Sequence, residues 1–501
     1  MSNTTWEYGT NERQAVSSDA YVSYTYESVM RYRAESIEQI LETPKLLLDM
    51  IRHHREYQVP RLETLEAYYL GNNRQILTGQ RRQEQGKSDH RIRHSFASLI
   101  SDFLNTYVLS IPVKVRDVYA TEQSDFVGIV DDFGIANDID AHNLEIGKDQ
   151  NNFGRAFELL VRTENDQDKI YRLEPREVFM IYDRTVASKV IGACRYYPEN
   201  ELDPTSKYLV ELYTPEFIYR FLPHSLTTGR LQLSDTPPEP HLFMGVPIVE
   251  YRSDRYRMGV YEKQLPLIDA YDAAQSDTAN YMTDFNDAIL VIEGLLKNAD
   301  DPEYLRKMKD ANLLVLIPSE DSDGMRGAVK AHYLTKSYDV AGVEAYKARL
   351  KEDIFSQASV PNLSDEAFAG NRSGEALKYK LFGLQQKRSD KEKFLAKGFR
   401  VRYKLLENLK RNVQEYSGDP VQLDFQFSQN LPTAYLEELQ AFINSGGQLS
   451  QETMLSLLSF VDDVQQEMER VEAENAVPVL PAADTIGGGA WPLMTDTLST
   501  P

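Results

Sequence analysis

Residues 375 to 413 hold no proline and have the composition of one helix. At 1.5 Å per residue a continuous helix there would be about 58 Å long, and an element of that length dominates any fold built around it. Its centre, QQKRSDKEK, is polar on every side, so a kink or a solvent-bathed stretch is expected there. Charge sharpens the constraint. The segment carries twelve Lys or Arg against four Asp or Glu, a net of +8, whereas residues 433–475 carry one Arg against nine acids, a net of -8. One reading is a solvated helix whose cations pair with other helices or other subunits. The other is that some of them line a nucleic-acid path, with Lys378, Lys380, Lys387, Arg388 and Lys391 as candidates.

Just before this helix runs PNLSDEAFAGNRSGEALKYKL, from Pro361 to Leu381. A patch of small polar residues and glycines ahead of a basic helix suits a phosphate cradle, a hinge, or a loop facing something that slides past.

A chain of 501 residues is too long for one simple core, and two to four domains are expected. Mean hydropathy is -0.48, and no apolar run of about 18 residues occurs, so no membrane span is expected. No signal peptide is visible at Met1-Ser2-Asn3-Thr4-Thr5. Cys194 is the only cysteine, which excludes an intrachain disulfide or a cysteine-held zinc and fits assembly in a reducing cytoplasm. With 77 acidic and 55 basic residues the net charge is -22, so the surface on average repels nucleic acid and anionic membrane. A chain like this can meet DNA without gripping it.

The hydrophobic period divides the chain. Thr43-Pro44 reads as a helix start, and a second short helix is expected from Pro60 to Leu70, stopped by Gly71-Asn72. Phe96, Leu99, Ile100, Phe103, Leu104 and Tyr107 form a helical stripe closed before Pro112. From Phe153 to Tyr251 the texture is that of short antiparallel strands. Helix is expected from Tyr261 to about Asn286, with Leu267, Tyr271, Ala274, Thr278, Tyr281 and Phe285 as its stripe. A compact α/β unit follows, then a helix from Asp339 to about Ser359 with Val343, Tyr346, Leu350 and Ile354 on one face. After the long helix, VQLDFQF alternates as a half-buried strand. Two acidic helices are expected over 434–475, joined at Ser445-Gly446-Gly447, and the Pro/Gly/Thr-rich end reads as disordered.

Catalytic motifs are lacking. GQRRQEQGKS (Gly79–Ser88) separates its glycines by six residues where a phosphate loop needs four. His90 and His94 are spaced to share a helix face, but Arg-Ile-Arg lies between them and opposes a dication. No G-x-S-x-G occurs. Asp131-Asp132 and Asp462-Asp463 read as solvated faces, since adjacent helical residues do not face each other. No enzymatic activity and no cofactor or metal is expected.

The order of these elements resembles the portal proteins of long-tailed double-stranded-DNA bacteriophages. VPNLSDEAFAGNRSGEALKYKLFGL with KEKFLAKGFRVRYKLL carries the likeness, supported by RIRHSFASLISDFLNTYVLSIPVKV, NNFGRAFELLV with EPREVFMIYD, and VPIVEYRSDRYRMGVYEKQLPLIDAYD. It covers roughly residues 45–470. After a polar N-terminal segment (1–40), read from composition, it implies a helix-rich α+β subunit: a β-rich wing (41–257) to which 375–432 return, a stem helix (258–286) and a clip (287–336). A second stem helix (337–360), a tunnel loop (361–374) and a helical crown (433–475) complete it; the tail (476–501) lies outside the likeness and reads as disordered from its composition.

Asn362, Leu363, Ser364, Asp365, Glu366, Phe368, Gly370, Asn371, Ser373 and Gly374 would then form the loop beside the duplex. Arg306, Lys307 and Lys309 would serve clip docking. The resemblance further implies a ring of twelve subunits at one capsid vertex, assembled in the host cytoplasm. Double-stranded DNA would pass through it without sequence specificity, and no membrane is involved. The partners it implies are the terminase large subunit, a head-completion or adaptor protein, and the major capsid and scaffolding proteins. A monomeric or differently assembled head-tail adaptor is the alternative, and a packaging ATPase a further one.

Overall fold

The computed structural model describes residues 31–78, 88–118, 125–203, 205–226, 230–284, 289–293, 301–303, 306, 330–334, 339–362, 374–428 and 450–456, with scattered positions from 461 to 471. By contacts, residues 1–430 make one compact unit and 431–501 a second. The described residues form a helix-rich α+β fold.

The first unit opens with β1 (Tyr32–Arg33) and α1 (Ile37–Glu42), capped by the Ser36 hydroxyl, which accepts the Gln39 N–H at 3.3 Å. α2 (Pro44–His53) begins where Thr43-Pro44 predicts, although the Thr43 side chain makes no cap. The two expected short helices are joined. A π turn, His54–Gln58, runs straight into α3 (Val59–Tyr69), and the chain leaves it at Gly71, whose φ of 71° suits glycine. Next come α4 (Arg74–Thr78), α5 (Phe96–Leu109), β2 (Lys114–Asp117), α6 (Asp125–Ala136) and α7 (Ile139–Phe153). Residues 88–95 precede α5 without helix, so His90 and His94 share no helix face.

The strand-rich stretch is β3 (Arg155–Arg162), β4 (Asp168–Leu173), β5 (Val178–Tyr182), β6 (Val190–Pro198), β7 (Tyr208–Tyr213), β8 (Phe217–His224), β9 (Glu239–Pro240) and β10 (Ile248–Arg252). It forms two sheets: β1-β5-β6-β7-β8-β9 and β10-β3-β4. Pairing is antiparallel throughout both except for β1 on β5. Leu47 and Ile51 of α2 pack on Phe179, Ile181, Cys194 and Leu212 of the larger sheet. Phe157 and Ile248 meet Met180 and Ala193 between the sheets. Reduced Cys194 is fully buried in the core under α2.

A 3-10 turn, Glu262–Gln264, leads into α8 (Leu265–Asp284). β11 (Ile289–Glu293) pairs antiparallel with β12 (Lys330–Leu334), and α9 (Val340–Ala358) is capped by Asp339, whose Oδ1 accepts the Gly342 N–H at 2.9 Å. α10 (Gly374–Asn412) is one helix of 39 residues. β13 (Leu423–Gln426) pairs antiparallel with β2, with Phe425 buried as the alternation predicts. A third core joins α3, α5, α8 and α9 through Leu62, Leu65, Ile100, Ile268 and Ile354.

In the second unit α11 (Gln451–Ser456) is described, and the Ser450 hydroxyl accepts the Thr453 N–H at 3.2 Å. Among the described residues no helix is long and apolar enough to cross a membrane.

Candidate functional site

The long basic helix does not float in solvent at its centre. Arg388 and Lys391 are buried and Lys387 is half-buried. Lys387 donates to the Ala358 carbonyl at the end of α9, at 2.8 Å. Loss of water around it, with a smaller push from Lys263, lowers its pKa to about 8. Arg388 donates to the Phe427 carbonyl at 3.0 Å, pairs with Glu392 at 2.6 Å, and lies 5.7 Å from the centre of the Tyr107 ring. Lys391 donates to the Gly147 carbonyl at 3.2 Å and to Asn151 Oδ1, both on α7. Burial, then Lys387, holds its pKa well below the ordinary lysine value. These placements correct the expectation that the three cations face DNA or a neighbouring subunit. Their polar heads are consumed inside the protomer. Lys378 and Lys380 lie in the first turns of α10.

Further along, α10 is locked to β3. Arg402 is fully buried and grips Glu158 with two bonds, Nε to Oε1 at 2.9 Å and Nη2 to Oε2 at 2.6 Å, while Nη1 donates to Asn143 Oδ1 at 2.8 Å. Tyr251 Oη donates to Glu158 at 2.8 Å and His142 Nε2 lies 3.0 Å from it. Burial pushes the Glu158 carboxyl up, but Arg402 and then His142 outweigh it and hold it at about 2. Gly398 permits the approach: a Cβ there would stand 2.2 Å from the Tyr251 ring. Buried partners of this kind hold the helix against the strands without exposing a charge.

α8 and α9 form the second candidate region. They pack on each other, and Lys347 of α9 reaches across to Gln275 Oε1 at 3.0 Å while pairing with Glu344 at 2.5 Å. The buried face of α8 is Leu265, Ile268, Asp272, Ser276 and Asn280. Its polar half is covered by residues 90–94: His94 Nδ1 lies 2.8 Å from Asp272 Oδ1, the Ile92 N–H meets Ser276 Oγ at 2.9 Å, and the His90 N–H meets Asn280 Oδ1 at 2.6 Å. Both histidines are thus occupied by α8, His90 also through Thr283 Oγ1 at 2.8 Å. Among the described residues no group of three or more His, Cys, Asp or Glu is placed to hold a metal. The expected stripe of Leu267, Tyr271, Ala274, Thr278 and Tyr281 is only half-buried. Met282 is 55% exposed, Val340 48% and Tyr346 52%.

Of the remaining candidates, Asn362 is half-buried just past α9, Gly374 begins α10, and Arg306 is exposed. Leu363, Ser364, Asp365, Glu366, Phe368, Gly370, Asn371, Ser373, Lys307 and Lys309 lie outside the described residues, as do residues 79–87 of the glycine pair. Sequence reasoning missed α6 and α7 altogether. α7 buries His142, Asn143, Asp149, Gln150, Asn151 and Asn152 beside Ile146 and Phe153, so polar residues interrupt the apolar period of its inner face.

A family model described as Phage portal protein, SPP1 Gp6-like, matches residues 48–477. The portal protein of Bacillus phage SPP1 is 22% identical over 413 residues, which is 79% of this chain and 78% of that one. The portal protein of Clostridium phage phiCD119 is 24% identical over 436 residues, 81% of this chain and 91% of its own. Among solved structures, the neck of an empty GTA particle computed with C6 symmetry is similar at a TM-score of 0.43 and 13% identity, over 77% of this chain and 94% of that one.

Proposed function

This chain belongs to the SPP1 Gp6-like family of phage portal proteins, and from that premise we propose that it is one subunit of a closed ring at a capsid vertex. Double-stranded DNA is packaged and later ejected through the ring, and twelve copies make it up. The observation that carries the ring is the α8–α9 pair. One subunit leaves Met282, Val340 and Tyr346 largely exposed along it. A cyclic assembly buries such a face by setting it against a different face of the next copy. Mass photometry and electron microscopy of the purified full chain should give one closed ring; a species of subunit mass only, across micromolar concentrations, favours the monomeric adaptor instead.

The net charge of -22 suits a conduit, because each gripped phosphate would stabilise a stalled state. Residues 362–374 are the loop beside the duplex in this reading, supported by their glycines and by Asp365 and Glu366, whose charge repels phosphate. Asp365→Lys with Glu366→Lys should make packaging stall more at low salt than at high salt, since screening acts within about 10 Å at 0.1 M. Normal packaging at low salt makes the loop a linker.

The 287–336 unit docks the terminase large subunit and later a head-completion protein, through Arg306, Lys307 and Lys309. Major capsid and scaffolding proteins surround the ring. Arg306→Glu with Lys309→Glu should weaken motor binding and spare the ring; the opposite result ends this assignment. The protein hydrolyses no nucleotide in this reading, and turnover lost on Lys87→Ala would overturn that.

A further inference from the structure

Between β1, β5, β3 and β10 lies a small cavity whose polar lining is mostly cationic. Arg31, Arg155 and Arg257 line it, with Glu250 as the one carboxylate and Tyr182 beside it. Glu250 is already committed. It accepts Arg257 Nε at 2.6 Å and Nη2 at 2.9 Å, and the Tyr182 hydroxyl at 2.5 Å. Arg257 is itself fixed in place: its backbone φ is 58°, its side chain is buried, and its carbonyl accepts Arg61 Nη2 at 2.9 Å. Arg61 in turn is neutralised by Glu262 at 2.5 Å.

Arg155 is the group left over. It is only 4% exposed, yet its Nε and Nη2 find no hydrogen-bond partner among the described residues. A buried guanidinium with idle donors is costly unless something supplies both acceptors and charge. Burial first, and then the neighbouring Arg257, pulls its pKa down to about 9, which reflects the same uncompensated crowding. Counting lining side chains, three arginines face one carboxylate, an excess of two positive charges. The cavity measures about 10 Å³, room for a single compact particle. Water would satisfy a donor but leave the charge. A phosphate or sulfate exceeds the space.

We propose that this cavity is a structural anion site that binds one halide-sized inorganic monoanion between Arg155, Arg257 and Arg31. The anion would tie the first β-strand of the unit to the β3–β10 pair, with half-buried Arg31 closing the mouth. This inference does not depend on the portal reading.

The test uses the full chain in sodium chloride, sodium bromide and sodium isethionate at equal ionic strength. Isethionate is too bulky to enter. The melting temperature should rise with the logarithm of chloride or bromide concentration and not with isethionate. Arg155→Met should weaken the halide response at least about tenfold, the equivalent of one hydrogen bond to a charged group. Should that variant fail to fold, Arg31→Gln at the mouth should fold and reduce the response several-fold. In bromide-soaked crystals an anomalous peak should lie beside Arg155 Nε and Nη2. Equal melting in all three salts, a full halide response in Arg31→Gln, or water in place of bromide at Arg155 each overturns the proposal.

Discussion

The junction of α10 with the strands and the α8–α9 pair are both helix packings, but they are completed differently. At the first, among the described side chains, each cation that enters the interior meets a named acceptor: Arg402 meets Glu158, Arg388 meets Phe427 and Glu392, and Lys391 meets Asn151. At the second, polar side chains face inward onto residues 90–94 while Tyr346 and Met282 stay outside. One region is finished within the chain. The other leaves Met282, Val340 and Tyr346 exposed.

The largest expected effect tests the finished region. Arg402→Met leaves Glu158 buried without its counter-charge, and should destabilise the protomer by about 3–5 kcal/mol in chemical denaturation. A loss under about 1 kcal/mol would mean that His142 and Tyr251 suffice and the junction is looser than its geometry implies.

Lys387 sits where the two regions meet, α10 against the end of α9. Its folded pKa of about 8 lies below the ordinary 10.5. Its contribution to stability is therefore fully present above pH 10.5 and is lost as pH falls through about 8. Lys387→Met should abolish that slope and stabilise the protein near pH 7 by on the order of 1 kcal/mol, allowing for partial exposure. An unchanged slope would show that Lys387 stays hydrated.

On α8, Asp269 accepts the Tyr68 hydroxyl at 2.5 Å, while its Oδ2 has no hydrogen-bond partner among the described residues. Burial, aided by Asp272, raises its pKa to about 6. The sign is opposite to that of Lys387: its contribution is fully present below pH 3.8 and is lost as pH rises through about 6. Asp269→Asn should remove this effect, on the order of 1 kcal/mol, from melting curves taken between pH 4 and 7.

The smallest effect on the protomer is the one that best separates the regions. Tyr346→Ser with Met282→Ser should change protomer stability by less than about 0.5 kcal/mol per site, yet lower the oligomeric mass seen by mass photometry. If mass is unchanged, the exposed face of α8–α9 is not an intersubunit surface.

Much of the fold is legible in the chain because helix and strand signals are local. The 39-residue α10, the start of α2 at Pro44, the Asp339 cap and the alternation around Phe425 all follow from propensity and period. Family membership is legible too, since the matched 48–477 coincide closely with the stretch whose motif order points to portal proteins. The inner faces are not legible. On α7 and the far half of α8 they are polar, and a polar residue looks the same in sequence whether water or another side chain satisfies it. The same holds for the candidate cations. QQKRSDKEK reads as a solvated centre, yet Arg388 and Lys391 are inside.

By itself, then, the sequence determined most of the helices and strands, α6 and α7 excepted, the absence of an intrachain disulfide, the acidic balance and the family. Only the tertiary structure decided which charges are buried. Arg402 finds Glu158 across 244 residues of chain, and Lys391 finds Asn151 across 240. Periodicity reports what a side chain's near neighbours are. Whether a charge can leave water depends on an acceptor delivered from elsewhere in the chain, and that delivery exists only once the fold has formed.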